Sequence, residues 1–429
     1  MSSTDMPRND LAAARQIIDS MDIFFYNQSF YSYIDHYWRP IELEIIKKKI
    51  LELLDKKYRQ SRVNNIVDIL KLMTHKTEDE INLNFHEYAL NTMNGIYYLK
   101  EGKLVPHSED TKHMFSTNRI NVTVDPEATC ERWIQFVSEI FEPDHDRRDK
   151  IKLLQEFLGY CLTPMVSFQK ALILLGTGSN GKSIILQVME KILGEDNYSS
   201  IELNQLSNKN YIVELQNKLV NFCSEIDHKG SFSSGIFKRI ITGETLTGDA
   251  KFKNPIKFQP YCKLLFATND LPQTVDTTKG FFRRIFILKF NRSFEGDHCD
   301  PDLLKKLESE ISGIFNWLLE GLGQLIHDQA FTVPSSSEEE TYNYLEGCNS
   351  VVAFINERCT IESNTYEVYQ DLYESYTEYC AQSGNKPFKK ASFRNEIEKN
   401  YSPRILYTRS GEKGNHFKNV RIKNNTIYP

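Results

Sequence analysis

At 429 residues, 40% apolar and 26% charged, the chain has a globular composition but is too long for one compact core, so two or three domains are expected. Its net charge of −6 excludes a uniformly basic nucleic-acid coat, although a channel or a single face can be basic beneath an acidic exterior. Eight cysteines without a Cys-x-x-Cys pair, and ten histidines without His-Glu-x-x-His spacing, argue against a zinc ribbon, a disulfide scaffold or a resident protein-held metal.

In chain order, residues 1–10 are polar and lack the apolar segment of a secretory signal. No apolar run approaches the ~20 residues of a membrane span. A cytoplasmic protein with no membrane partner is therefore expected. Residues 1–165 read as mainly helical, with an amphipathic helix over 41–54. Residues 94–104 read as a small hairpin. Asp125-Pro126-Glu127 predicts a helix start: a capping acid, proline at the first helical position and acid in the first turn. Trp133, Phe136, Val137, Ile140 and Phe141 follow on one face. A further helix, from about 149, carries Leu153, Leu154, Phe157 and Leu158. From 166 to 300 short apolar strands alternate with glycine turns and helices, an α/β rhythm. Residues 302–329 return to helix, and 335–346, rich in Ser and Glu, read as a linker. The remainder predicts three helices and a strand pair around 411–414. From 385 onward, eleven Lys and Arg face three Glu, a local balance of +8.

The strongest chemical signal is Gly176-Thr177-Gly178-Ser179-Asn180-Gly181-Lys182-Ser183, a G-x-x-x-x-G-K-S loop between an apolar strand at 171–175 and a helix. Its glycines let backbone N–H groups face phosphates at a helix N-terminus. Lys182 offers a point charge to the β- and γ-phosphates of ATP, and the Ser183 hydroxyl offers a ligand to Mg²⁺. A second strand, 218–223, ends in Ser224-Glu225-Ile226-Asp227. Glu225 is placed to activate water and support the metal, with Asp227 either a helper or a solvated loop acid. A third strand ends at Asn269, which either bonds the γ-phosphate or merely makes a turn. Arg283 and Arg284 open a fourth strand, as arginine fingers or as a surface pair. Between the second and third strands, residues 248–258 form a basic and aromatic hairpin. Its Lys251, Phe252 and Lys253 suit a nucleic-acid backbone. Lys389, Lys390 and Arg394 open a helix that would meet phosphates, or they are a solvated face.

This order of motifs resembles the superfamily III helicases of the AAA+ class, in particular the phage and plasmid primase-helicases and the poxvirus primase-helicase. Three strings carry the likeness: Leu-Gly-Thr-Gly-Ser-Asn-Gly-Lys-Ser, Thr-Asn-Asp-Leu-Pro, and Phe-Phe-Arg-Arg ahead of Phe290. The resemblance spans roughly residues 90–425. It implies an α/β P-loop ATPase core at 166–332, behind a helical pre-helicase domain at 1–165 and ahead of a winged-helix-like DNA-binding domain at 347–429. It also implies a ring, usually a hexamer, moving on single-stranded or forked DNA, with ATP at subunit interfaces. In that ring Lys182 and Ser183 hold nucleotide and metal, Glu225 activates water and Asn269 senses the γ-phosphate. Arg283 or Arg284 acts on the neighbour's ATP, and the hairpin touches DNA. Many members carry two adjacent acids where Ser224 precedes Glu225 here, which leaves the metal's carboxylate open between Glu225 and Asp227. The other function class open at this point is an ATP-dependent initiator or loader that binds DNA without processive unwinding. Residues 1–90 show neither an acidic strand triad nor zinc spacing. Either the chain is a helicase alone, or it is the C-terminal part of a replicase whose primase or primase-polymerase lies elsewhere.

Overall fold

The computed structural model describes residues 9–55, 58–77, 80–81, 88–224, 233–249, 254–272, 274, 276–294, 300–409 and 414–423. Helices prevail before residue 165, but two antiparallel sheets are interleaved with them. The first joins Ile23–Tyr26, Ser29–Ile34 and Tyr37–Ile41 through the two-residue turns Asn27-Gln28 and Asp35-His36. All four turn residues have φ between +44° and +67°. Paired positive φ gives a turn whose twist matches that of the strands it joins. On one face Phe24 stacks on Tyr31 at 5.0 Å and packs on Trp38 at 4.7 Å. On the other, Ile23 and Phe30 join helices Asp10–Ser20, Leu43–Leu54 and Gln60–Thr74 in an aliphatic core. The second sheet contains the expected hairpin, Gly95–Tyr98 with Lys103–Val105, and adds Ala89–Thr92.

The helix expected to begin at Asp125 starts instead at Glu131 and runs to Ile140. Asp125 makes a turn instead, accepting from Glu127 N through its carboxylate and from Ala128 N through its carbonyl, which Asn316 Nδ2 also reaches at 2.8 Å. Helix Glu131–Ile140 is capped from a distance: the Glu310 carboxylate accepts from Arg132 N and Trp133 N, each at 3.0 Å. Glu310 interrupts the predicted 302–329 helix, dividing it into Leu303–Ser309 and Ile311–Asp328.

At the centre lies a parallel five-stranded sheet, ordered Ile285–Lys289, Ala171–Leu175, Lys263–Thr268, Val220–Cys223, Tyr198–Ser199. Both faces are covered, which explains why its longer strands read as apolar runs. One face packs on the Arg147–Tyr160, Lys182–Leu193 and Ile311–Asp328 helices, with Phe157, Leu186 and Phe315 in one continuous core. The other is covered by residues 201–215 and helix Ser234–Thr242.

Residues 335–346 are not a linker but most of the helix Ser335–Cys348. Its start is held by Asp146, which accepts from Ser336 N at 2.8 Å, and its middle by the Lys289–Glu340 pair at 2.6 Å. Tyr344 near its end is buried, with its hydroxyl donating to the Pro272 carbonyl. Helices Ser350–Arg358, Tyr369–Gln382 and Lys390–Tyr401 then enclose Phe354, Tyr376, Phe393 and Phe417. The expected strand pair is Leu406–Thr408 with His416–Lys418, flanked by Tyr366–Val368; residues 410–413 lie outside the described residues. The seven described cysteines are free, and no described helix is long and apolar enough to cross a membrane.

Candidate nucleotide site and its opposite edge

Because the sheet is parallel, strands that are far apart in sequence end at one edge. Leu175, Cys223, Thr268 and Lys289 all terminate there. In open α/β sheets, ligands bind at this carboxyl edge. The Gly176–Gly181 turn leaves the edge and enters helix Lys182–Leu193. It is tied to both neighbouring strands, since Gly176 N donates to the Thr268 carbonyl at 3.1 Å and Phe290 N to the Leu175 carbonyl at 2.7 Å. Beyond Phe290, Phe294 N donates to the Ser179 carbonyl at 2.6 Å and closes the turn from the side.

The turn demands its glycines. Gly181 has φ +89°, and a Cβ there would sit 2.9 Å from Phe136 Cζ. A Cβ on Gly176 would lie 2.8 Å from the Phe290 carbonyl oxygen. Lys182 is buried, and its ammonium turns back into the loop to donate to the Gly176 carbonyl at 2.7 Å and Asn180 Oδ1 at 2.8 Å. Burial lowers its pKa, because the charged form loses solvation. Asn180 Nδ2 is buried and makes no hydrogen bond. A concave loop at a helix N-terminus, with a desolvated ammonium and a spare amide donor, fits a polyphosphate. Ser183 is exposed on the helix's first turn, where a hydroxyl can meet a hydrated cation. Asn269 is exposed one residue past Thr268, and so lies beside the start of the glycine turn. Ser224 ends the described part of the Val220–Cys223 strand; Glu225 and Asp227 lie outside the described residues.

Arg283 and Arg284 stand at the other edge. Ile285 pairs with Ala171, so the arginines lie level with the start of the Ala171–Leu175 strand. Gly176 is five residues beyond Ala171, roughly 17 Å at the ordinary rise of a strand. They are therefore not brought together with the glycine turn. The two differ. Arg284 is half-buried, donating to the Gly280 carbonyl and to Gln169 Oε1 at 3.3 Å, and burial together with Arg283 lowers its pKa. Arg283 is exposed. Lys170, a residue that sequence reasoning passed over, donates to the Arg283 carbonyl at 2.5 Å and lies 4.1 Å from the Phe286 ring centroid. Burial, then the two arginines, push its pKa down to about 8. Among the described residues no carboxylate forms an ion pair with any of the three.

The basic hairpin is present in its stem: Leu246–Gly248 pairs with Ile256–Phe258. Lys251, Phe252 and Lys253 lie outside the described residues. The stem is braced by Asp249 N on the Lys209 carbonyl at 2.9 Å and by Asn27 Nδ2 on the Lys257 carbonyl at 3.2 Å. In the C-terminal region Lys389 is exposed. Lys390 instead packs over Tyr369 at 4.7 Å, and Arg394 over Tyr407 at 5.0 Å. Both are engaged with their own domain's rings and do not project freely.

Comparison with known proteins places three matches along the chain. Residues 14–142 match a family described as D5 N terminal like, and residues 346–428 one described as Poxvirus D5 protein-like. Residues 174–284, which include the glycine turn, match a family of unknown function (DUF5906). A putative helicase, L207/L206, of Acanthamoeba polyphaga mimivirus is 26% identical over 330 residues, covering 70% of this chain and 33% of that protein. The chain thus spans about a third of the length of this curated relative. Among solved structures, an A-form apo structure of the NrS-1 C-terminal region superposes with a TM-score of 0.55 at 14% identity, covering 96% of this chain and all of that one. A second apo structure of the same region gives 0.52 at 12%, with the same coverage. At these identities the likeness is one of fold.

Proposed function

We propose that the chain is a superfamily III primase-helicase of the D5 type, an ATP-dependent DNA helicase of phage or viral replication working as a hexameric ring on single-stranded or forked DNA; the D5-like matches at both ends and the likeness to a putative viral helicase support this. The observation that carries this reading is the division of one sheet into two edges: a phosphate-shaped turn at one, and at the other a cluster of cations that no described carboxylate pairs. The ATPase core, residues 166–332, would work between the mixed α/β region 1–165 and a winged-helix-like module at 347–429. In this reading Lys182 meets the β- and γ-phosphates, and Asn180 and the loop backbone orient them. Ser183 would hold Mg²⁺ with Glu225 or Asp227, and the metal's role is to neutralise charge on the phosphoryl oxygens. Glu225 accepts a proton from the attacking water while Asn269 holds that water by hydrogen bond. Arg283 serves the neighbouring subunit's nucleotide, because it is exposed while Arg284 is engaged, and Lys170 adds charge beside it. A primase or primase-polymerase would be the natural partner for such a motor.

The test is strand displacement from a forked duplex, run beside ATP hydrolysis. Wild type should displace strands only with ATP. Lys182→Ala should lose both activities, and Glu225→Gln should bind ATP yet hydrolyse it very slowly, because an amide cannot take the proton. ATP-dependent DNA binding without any displacement would refute the motor reading.

A further inference from the structure

The helix Lys390–Tyr401 reaches the ATPase core through Glu396 and Lys399, which both bond Thr277. Its buried face, Phe393, Ile397 and Tyr401, holds the C-terminal core. Ser392, Asn395 and Lys399, with Phe388 just ahead of the helix, form an exposed stripe at helical spacing. Lys399 ends this stripe and also makes the inter-domain contact. Its ammonium donates to Thr277 Oγ1 at 3.1 Å and to Glu396 Oε1 at 3.0 Å. Thr277 in turn donates its hydroxyl proton to Glu396 Oε2 at 3.0 Å, and Asn349 Nδ2 reaches the same oxygen at 2.8 Å. Thr277 is buried, so this small polar junction is shielded from solvent on the core side.

Thr277 sits six residues ahead of Arg283, and the path between them is tightly held. Asp276 accepts from Lys238 Nζ at 2.5 Å, Thr278 Oγ1 at 2.6 Å and Thr278 N at 3.0 Å, which together hold its carboxyl well below the usual range. The Thr278 carbonyl accepts from Phe281 N at 3.0 Å and starts the single helical turn Lys279–Phe282. Phe281 is buried. One hydrogen-bonded turn therefore joins Thr277 to Arg283.

We propose that the Glu396–Thr277–Lys399 junction is a relay from DNA to the trans-acting arginine. A phosphate lying along the Ser392–Asn395–Lys399 stripe competes for the Lys399 ammonium, weakens its hold on Thr277, and so resets Arg283 at the neighbouring nucleotide. Thr277, Glu396 and Lys399 are positioning residues; none touches ATP. The inference rests on the helicase reading above and adds the route by which DNA sets its ATPase rate.

The measurement is the ratio of ATP turnover with and without a fluorescein-labelled oligo-dT strand, with the affinity for that strand read by anisotropy on the same full-length chain. Thr277→Val removes the shared hydroxyl while leaving the exposed stripe intact. It should lower the stimulation ratio about fivefold, the scale of an ordinary coupling between sites, with DNA affinity unchanged or raised, because the hydroxyl that competes with phosphate for Lys399 is gone. Glu396→Gln breaks the junction from the other side and should act in the same direction, which covers the case of a poorly folding Thr277→Val. Adding Lys399→Gln to Thr277→Val should not lower the ratio further, because both lie on one route. An unchanged ratio in both Thr277→Val and Glu396→Gln, including an equal fall of basal and stimulated rates, overturns the relay. A wild-type chain whose turnover ignores DNA overturns the helicase reading itself, and is recognised without any variant.

Discussion

Arg283→Ala offers the sharpest test of how subunits share work. Gly176 and the arginine pair lie at opposite edges of the sheet, separated by the five-residue strand Ala171–Leu175, or roughly 17 Å of backbone rise. No rotamer of Arg283 spans that gap to a phosphate in its own loop. If Arg283 acts on a neighbour, removing it should cost about 10³-fold or more in turnover, the scale of an arginine finger, while assembly persists. Mixing supplies the decisive number. In equal parts of Arg283→Ala and Lys182→Ala chains, each interface needs an intact Lys182 on one side and an intact Arg283 on the other. Random assembly makes such interfaces with a chance of one half times one half, so activity should recover to about a quarter of wild type if interfaces act independently. ATP hydrolysis across a titration of mixing ratios, with mass measurement of the assembly, reads this directly. Were both residues to serve one subunit's own site, no chain in the mixture would be whole. Activity would then stay at the background of the separate variants at every ratio, and the argument from the two edges would be refuted.

Three further outcomes are expected. Gly181→Ala places a side chain at φ +89° against the Phe136 ring, so it should cost about 1–2 kcal/mol in the loop's conformation and weaken nucleotide binding, read by thermal melting with and without ATP. Lys170 is charged below its pKa of about 8 and neutral above it, so its attraction for the neighbour's phosphates is present at neutral pH and lost as pH rises through 8. Turnover at sub-saturating ATP should fall across that window in wild type and flatten in Lys170→Arg, whose guanidinium stays charged; identical profiles would remove Lys170 from the site. Replacing Lys251 and Lys253 together with Ala should spare basal ATPase but reduce DNA stimulation and flatten the salt dependence of DNA binding, as phosphate contacts are lost. A chain ending just after Cys348, which keeps the Ser335–Cys348 helix on the core, separates the hairpin's share from that of the C-terminal module.

Much of the core was legible because its signals are local. Four of the sheet's five strands wrote themselves as apolar runs, Tyr198–Ser199 being too short and polar to show, and the glycine turn carries its chemistry in eight consecutive residues. What escaped depends on partners distant in sequence. The turn at Asp125 has every local mark of a helix start, yet the helix begins at Glu131, where Glu310 reaches its N–H groups from 178 residues away. Residues 335–346 have a composition that suits a linker, but Asp146, Lys289 and Pro272 each hold one part of that helix. The 23–41 sheet was hidden because its turns use Asn27-Gln28 and Asp35-His36, without the glycine that usually announces a hairpin. Phe136 and Phe294, which brace the glycine turn, read only as core aromatics.

Lys170 was illegible for a different reason, and it bears on the assembly. Nothing in Gln169-Lys170 marks a site; the residue becomes notable only when the register of Ile285 against Ala171 sets it beside two arginines. Like charges crowded at a partly desolvated edge repel, which is the second cause of the fall in the Lys170 pKa after burial. Among the described residues, Glu244 is the carboxylate whose field supports Arg284, and it is itself paired with Arg239 at 3.8 Å. An anion brought by a second subunit would relieve the repulsion and raise the Lys170 pKa toward its ordinary value. On the proposed reading that anion is the neighbour's ATP. Nucleotide and assembly should then stabilise one another, since each phosphate held by one Lys182 is also the counter-charge for the next subunit's Lys170 and Arg283.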